Sequence, residues 1–205
     1  IPLKISQDYS LPMLVDENWT GFFSSYSGNT EETLASLSDA EQRRLKEIVV
    51  IAHGGKLKDI AIEKKYSLIE IPNTKQPRMA YGFMLGAMIK LLANSNLITI
   101  NENELIKDAE LCLQNQNEFE ALGEKLATSC VGKIPLIYTS NIWKYVAMVW
   151  KINLNENSKV PAFWNAFPEM NHNEMVGFTK SQRVFKAILL SNKNDAEQIK
   201  KMMIQ

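Results

Sequence analysis

The feature of this sequence that most constrains its fold is an apolar run that leads through a hydroxyl-rich turn into a helical pattern. Residues 19–23 are rich in aromatic side chains, which favour a β-strand, and residues 24–30 read SSYSGNT. Gly28 permits a tight backbone path, and Asn29 or Thr30 can cap a helix whose first turn carries two glutamates. The segment therefore predicts a strand, a tight turn and a helix in close succession.

The same turn has the chemistry of an anion-binding site. The N–H groups at the start of the helix and several side-chain hydroxyls would face one concavity, where the helix dipole favours a negative group. The turn contains no lysine or arginine, which distinguishes it from the GxxxxGK[ST] nucleotide loop and favours a single phosphomonoester over a triphosphate. An ordinary capped turn without a ligand is an equally open interpretation of these residue types.

Apolar runs of strand length recur along the chain and alternate with helical patterns. Residues 48–52 form a continuous apolar run, which suits a parallel strand covered on both faces. The alternation predicts a doubly wound α/β layer, and it restarts at Pro135, so we predict two related domains, residues 1–103 and 104–205. The predicted strands cover residues 1–5, 19–23, 48–52, 66–71, 135–140 and 187–191, and the predicted helices cover residues 30–47, 57–65, 80–93, 105–128, 142–152 and 194–203.

Charge and hydropathy exclude several classes of partner. Of the 205 residues, 45% are hydrophobic and 22% are charged, which is ordinary for a globular chain with a core. The chain has 23 basic and 23 acidic residues, and this balance argues against nucleic acid or an anionic membrane surface as a partner. The apolar stretch at residues 80–93 contains Lys90 and is too short for a membrane span, so it predicts a buried helix.

The cysteines indicate the cellular compartment. Cys112 and Cys130 are the only two in the sequence, and they lack CxxC spacing. Neither a disulfide framework nor a zinc site is therefore indicated, and we expect the protein to be cytoplasmic.

Only two histidines can serve in acid–base chemistry. His53 follows an apolar run and precedes two glycines, where a hydrogen-bonded loop histidine is the favoured interpretation. His172 lies in the polar cluster of residues 167–174, directly after an aromatic run. A polar cluster beside apolar surface needs partners or a ligand, so a surface loop and a functional site are equally open here.

Two further charged residues are candidates for a site. Glu156 follows an apolar helical pattern, and partial desolvation there would raise its pKa toward general-base use, although a solvated carboxylate at a helix end is the favoured interpretation. Arg78 opens a helical pattern, where the helix dipole disfavours a cation. We therefore expect Arg78 to have an anionic partner, either a structural carboxylate or a substrate oxygen.

Four segments together resemble the bifunctional phosphoglucose/phosphomannose isomerases. They are residues 25–33 (SYSGNTEET), 76–78 (QPR), 156–159 (ENSK) and 169–174 (EMNHNE). These isomerases belong to the sugar isomerase (SIS) domain superfamily, whose members have two flavodoxin-like three-layer αβα domains with parallel sheets. The resemblance covers essentially the whole chain, and it implies the α/β class with two SIS domains.

The resemblance also implies which residues carry the chemistry. Glu156 corresponds to the base that moves a proton between C2 and C1, and Arg78 would stabilise the charge on the enediolate oxygen. His172 would assist ring opening and, in the family, is supplied across a dimer interface. The hydroxyls that would hold the sugar phosphate belong to Ser25, Ser27 and Thr30. No metal or organic cofactor is implied.

The resemblance leads us to expect an aldose–ketose isomerase that interconverts glucose 6-phosphate with fructose 6-phosphate, with mannose 6-phosphate as a further candidate substrate. The expected partners are a sugar phosphate and a second copy of the chain, in a homodimer with shared active sites. The alternative is a non-catalytic sugar-phosphate sensor, which would need the hydroxyl turn but no base.

Two features of the family lack a counterpart in this sequence. The family has a Gly-Gly-Ser segment before the hydroxyl turn, and residues 1–23 do not contain one. It also has a catalytic lysine near its C-terminus, after the last strands, whereas this chain stops at Gln205. We therefore expect a piece of a longer isomerase, with a first SIS domain that lacks its first strand and helix and a second that lacks its C-terminal part.

Overall fold

Two three-stranded parallel sheets organise the part of the chain that the computed structural model describes, residues 3–180 and 183–204. They belong to two units, Ile1–Glu102 and Asn103–Gln205. The α/β class with parallel sheets, predicted from the alternation of strands and helices, is confirmed. The assignment of SIS domain boundaries at residues 103 and 104 stays a prediction.

The first sheet has the strand order β1-β2-β3, and all its strand pairs are parallel. Its elements are β1 (Thr20–Ser25), α1 (Glu31–Gln42), β2 (Glu47–Ala52), α2 (Gly55–Glu63), β3 (Ser67–Glu70), a 3₁₀ turn (Pro77–Met79) and α3 (Tyr81–Asn94). Ser25 lies opposite Ala52, and Ala52 lies opposite Glu70. The carboxyl ends of the three strands therefore lie at one edge of the sheet, where the hydroxyl turn begins.

The central strand β2 explains the continuous apolar run at residues 48–52. On one face, Val50 packs with Leu37 of α1 and Leu57 of α2. On the other face, Ile51 packs with Ile71, which follows β3. Because both faces of β2 are covered, its apolar residues do not alternate with polar ones.

Arg43 and Asp39 fasten the segment that precedes β1. The Arg43 guanidinium donates hydrogen bonds to the carbonyls of Leu11, Pro12 and Val15 and to the Asp39 carboxylate. Asp39 also accepts a 2.8 Å hydrogen bond from the Leu11 N–H. These two side chains therefore hold the segment before β1 in place, although this segment forms no strand. The predicted opening strand is not found at residues 3–5, which are exposed and unpaired with any described strand, and residues 1 and 2 lie outside the described part.

The second sheet has the strand order β5-β4-β6 and is also parallel. The remaining elements are α4 (Glu102–Gln114), α5 (Gln116–Cys130), β4 (Ile134–Ser140), α6 (Lys144–Asn153), β5 (Phe163–Phe167), α7 (Glu174–Gly177), β6 (Phe185–Leu190) and α8 (Glu197–Ile204). A π-helical turn (Leu154–Ser158) follows α6, and a 3₁₀ turn (Glu169–His172) follows β5. Ile137 packs with Ala147 of α6 on one face, while Tyr138 and Phe167 pack with Met170 on the other.

Three predictions about these elements need correction. The helix predicted over residues 105–128 is interrupted, because the Asn115 side chain donates to the Leu111 carbonyl and ends α4 there. The aromatic run at residues 163–167 forms β5, a strand that we did not predict. The helix predicted to be buried, α3, has no fully buried residue. Its Met84 side packs on the core, whereas Phe83 is exposed.

No helix in the described part of the chain is both long and apolar enough to cross a membrane.

We expect Asp39→Asn to reduce the loss of stability in acid. The hydrogen bond from Arg43, and then that from the Leu11 N–H, lower the Asp39 pKa below its ordinary value of 3.8. The stabilisation from this carboxylate is therefore fully present above that ordinary value and disappears as the pH falls through the lowered folded-state pKa. Urea unfolding at a series of pH values from about 7 to about 2 measures the effect. Asp59→Asn, at an exposed position on α2, is the control, and equal acid sensitivity in both variants would contradict the assignment.

Candidate functional site at the strand ends

The hydroxyl turn closes around Ser25, the last residue of β1. Ser25 is only 5% exposed, and its Oγ lies 2.8 Å from Thr30 Oγ1 and accepts a 3.1 Å hydrogen bond from the Gly28 N–H. Ser27 Oγ accepts a 3.3 Å hydrogen bond from the Asn29 N–H. The structure therefore brings all three predicted hydroxyls into a single turn, with the Ser27 and Thr30 side chains exposed.

Of the two residues predicted as possible helix caps, Asn29 and Thr30, it is Thr30 that is the N-cap residue of α1, but its hydroxyl makes no capping hydrogen bond. It pairs with Ser25 instead. The N–H groups of the first helical turn consequently carry no side-chain cap, and Glu31 and Glu32 are the only charges of that turn. Uncapped N–H groups beside exposed hydroxyls form a set of neutral donors suited to a phosphate.

A second turn, at the end of β2, holds the hydroxyl turn by backbone contact. Gly28 has a φ of +67°, and a Cβ at this position would lie 1.7 Å from the Gly54 carbonyl oxygen. The Leu57 N–H donates a 2.9 Å hydrogen bond to the Gly28 carbonyl, and the Lys56 N–H donates a 3.1 Å bond to Asn29 Oδ1. Residue 28 must therefore be glycine for the two turns to meet.

His53 belongs to this support. Its Nδ1 lies 2.9 Å from the Ile71 carbonyl oxygen, and because a carbonyl only accepts, Nδ1 carries the proton. The ring also stacks on Tyr26, with centroids 5.3 Å apart. The interpretation of His53 as a hydrogen-bonded loop histidine is confirmed.

Tyr26 ties the hydroxyl turn to the loop that precedes Arg78. Its hydroxyl accepts a 2.7 Å hydrogen bond from the Thr74 N–H and donates a 3.0 Å bond to the Thr74 carbonyl. Thr74 Oγ1 in turn donates to the Gln76 carbonyl, and Arg78 donates to Gln76 Oε1 at 3.4 Å. The Arg78 segment is thus attached to the edge of the sheet where the hydroxyls lie. Sequence reasoning missed this role of Tyr26, for which the only signal was an aromatic residue inside a polar turn.

Glu156 lies in the π-helical turn after α6. The turn ends at Lys159, which has a φ of +55°, and Asn155 Oδ1 accepts a 2.9 Å hydrogen bond from the Ala162 N–H. These contacts carry the Glu156 side chain to the surface, where it is exposed. The structure therefore agrees with the interpretation that the sequence favoured, a solvated carboxylate at a helix end, and not with the alternative of a partly desolvated one.

His172 ends the 3₁₀ turn that follows β5, and its side chain is exposed. The polar cluster around it finds its partners on the sheet, because Glu174 accepts a 2.8 Å hydrogen bond from the Tyr138 hydroxyl and another from Asn165 Nδ2. Burial, and then the bond to Glu174, raises the pKa of Tyr138. Of the predicted site residues, the hydroxyls and Arg78 lie in the first unit, whereas Glu156 and His172 lie in the second.

The described residues include no group of three or more His, Cys, Asp or Glu side chains that could hold a metal ion.

We expect Gly28→Ala to destabilise the first unit by at least about 2 kcal/mol, since a left-handed alanine costs roughly 1–2 kcal/mol and its Cβ would also overlap a backbone oxygen. Gly86→Ala is the matched control, because Gly86 lies in α3 with no atom within 4 Å of an added Cβ. That substitution should instead stabilise the helix by about 0.5–1 kcal/mol. Urea unfolding measures both, and equal effects would contradict the contact between the turns.

Comparisons with known proteins identify what the chain resembles. Residues 119–204 match the family model of the bacterial phospho-glucose isomerase C-terminal SIS domain. The bifunctional phosphoglucose/phosphomannose isomerase of Aquifex aeolicus is 34% identical over 97% of this chain and 61% of its own length. The D-glucosamine-6-phosphate 4-epimerase of Sulfolobus acidocaldarius is also 34% identical, over 89% of this chain and 58% of its own length. The chain thus spans about three fifths of these relatives.

A solved structure shows the same fold. The glucosamine-6-phosphate deaminase of Thermotoga maritima aligns with 95% of this chain and 59% of its own, with a TM-score of 0.68 and 14% identity. At that identity the likeness concerns the fold alone. In sequence, the chain is similar to the bifunctional phosphoglucose/phosphomannose isomerases, and its residues 119–204 match a SIS-domain family model.

Proposed function

We propose that the protein is an aldose–ketose isomerase that interconverts glucose 6-phosphate with fructose 6-phosphate and also accepts mannose 6-phosphate. The observation that carries this proposal is the hydroxyl turn, which offers exposed Ser27 and Thr30 hydroxyls beside the uncapped start of α1. These are neutral donors for one phosphate group. Several relatives at 32–34% identity are named for this pair of isomerase activities.

In the proposed reaction the Glu156 carboxylate takes the proton from C2 of the open-chain aldose. The hydroxyl proton of O2 moves to O1, and the protonated Glu156 then delivers its proton to C1, which gives the ketose. The negative charge that develops on the enediolate oxygens would be stabilised by the Arg78 guanidinium. His172 would transfer the proton that opens the sugar ring. The reaction is redox-neutral overall and requires no cofactor.

The exposure of Glu156 and His172 is compatible with such roles, because both side chains can reach a substrate or a second chain without rearrangement of a core. We propose that His172 acts in a homodimer with shared active sites, as the resemblance implies. A cytoplasmic location is part of the proposal, since Cys112 and Cys130 are both free thiols.

The epimerase relative defines a second candidate function. It is as similar in sequence to this chain as the isomerase of Aquifex aeolicus, and its name places its chemistry at C4 rather than C2. The hydroxyl turn would bind the phosphate of either substrate. What separates the two functions is the carbon at which the product differs.

We expect the natural full-length protein to exchange the C2 hydrogen of the sugar phosphate for solvent deuterium, measured by proton NMR in D₂O. Glu156→Gln should slow this exchange by roughly a hundredfold to ten-thousandfold, the range of a general base. Glu197→Gln, an exposed glutamate of α8, is the control and should exchange normally.

Each contrary result has one meaning. Unchanged exchange in Glu156→Gln would exclude Glu156 as the base. Binding without exchange would favour the sensor, and a product inverted at C4 would favour the epimerase.

We expect Thr30→Val to raise the KM for the sugar phosphate by about tenfold or more while changing kcat less. A hydrogen bond to a charged group contributes roughly 1.5–3 kcal/mol, and it would act in the ground state and the transition state alike. Thr33→Val makes the same substitution one turn later in α1 and should leave KM unchanged. Equal KM values for the two variants would show that the hydroxyl turn does not hold the phosphate.

A further inference from the structure

Two neighbouring strands of the second sheet hold one carboxylate between them. Tyr138 of β4 lies opposite Asn165 of β5 in the parallel register, so both side chains lie on the same face of the sheet. The Tyr138 hydroxyl donates a 2.8 Å hydrogen bond to Glu174 Oε2, and Asn165 Nδ2 donates to Glu174 Oε1. Each oxygen of the carboxylate therefore has its own donor from a different strand.

The contact is expected to stabilise the segment because one of its donors, Tyr138, is buried. Tyr138 is only 4% exposed, and its ring packs edge-on against Phe167. Without Glu174 the Tyr138 hydroxyl would be a buried donor with no acceptor, and such a group typically costs about 1–3 kcal/mol. The carboxylate also matches the donors better than a neutral acceptor, because hydrogen bonds to charged oxygens are the stronger kind.

Two attachments to the second sheet lie on either side of His172 in the sequence. Met170, two residues before His172, is only 1% exposed and packs in the core with Tyr138 and Phe167. Glu174, two residues after His172, is bound to the sheet as described. His172 itself is exposed between these two attachments.

We propose that Glu174 is a positioning residue for His172. By binding Tyr138 and Asn165, its carboxylate fixes the segment that carries His172 to the second sheet, so that the exposed imidazole meets the substrate in one orientation. This role rests on the function proposed above for His172. Glu174 does not touch the substrate, and its effect on the reaction passes through His172.

A double-mutant cycle on the natural full-length protein tests this role. Glu174→Ala should lower kcat by about tenfold to a hundredfold, because a misplacement of about 1 Å can have an effect of that size. In a His172→Ala background the same substitution should lower kcat no further, since there is no imidazole left to misplace. Glu197→Ala, at an exposed position of α8, is the control and should leave kcat unchanged.

Two milder variants keep the test valid if Glu174→Ala does not fold. Tyr138→Phe removes one of the two donors and should lower kcat in the presence of His172 but not in its absence. Glu174→Gln should restore much of the activity, because its amide can accept from Asn165 and donate to the Tyr138 hydroxyl.

The outcomes separate this role from the proposed function. Effects of Glu174→Ala and His172→Ala that simply multiply would overturn the positioning role and leave the isomerase intact. A natural protein without any isomerase activity would overturn the proposed function, and the positioning role with it.

Discussion

Backbone contact between two neighbouring turns is the constraint on which the first unit depends. The carbonyl of Gly54 occupies the place where a side chain at residue 28 would begin, so the backbones of the turns after β1 and β2 meet directly there, and the Asn29 side chain adds a hydrogen bond between them. This contact fixes the path from Ser25 to Thr30, and the hydroxyls follow from it. Tyr26 then extends the support to the loop after β3. The candidate phosphate site is thus a property of three strand ends, because each of them supplies part of its scaffold.

The second unit also has a three-stranded parallel sheet, but its strand order and the contacts that support its loops are different. Its strands are again parallel, and the segments that carry Glu156 and His172 follow α6 and β5. Here the attachment is made by side chains, since Met170 is buried in the core and Glu174 is bound by Tyr138 and Asn165. In both units the residues with proposed chemical roles are exposed or held in a turn, while the residues beside them provide the rigidity.

The sequence predicted the parts of this structure that depend on local pattern. The turn from β1 to α1 and the buried strand β2 could be predicted because the spacing of apolar residues and the identity of turn residues determine structure over only a few positions. Strand β5 was not predicted because its apolar run is short and aromatic. The break between α4 and α5 was not predicted because it depends on the hydrogen bond of a single side chain, that of Asn115. The contacts of Tyr26 with Thr74 and of Tyr138 with Glu174 join residues 48 and 36 positions apart, and no local pattern records such pairs.

The contact between the two turns also determines what could be moved to another protein. A designer who copies only the SYSGNT string would transfer the hydroxyls but not the carbonyl of Gly54 or the N–H of Leu57 that hold their backbone in place. In another protein the same six residues could adopt other turn conformations. The smallest transplantable piece is therefore two parallel strands with both of their turns, so searches for such sites are better made with paired segments than with one motif.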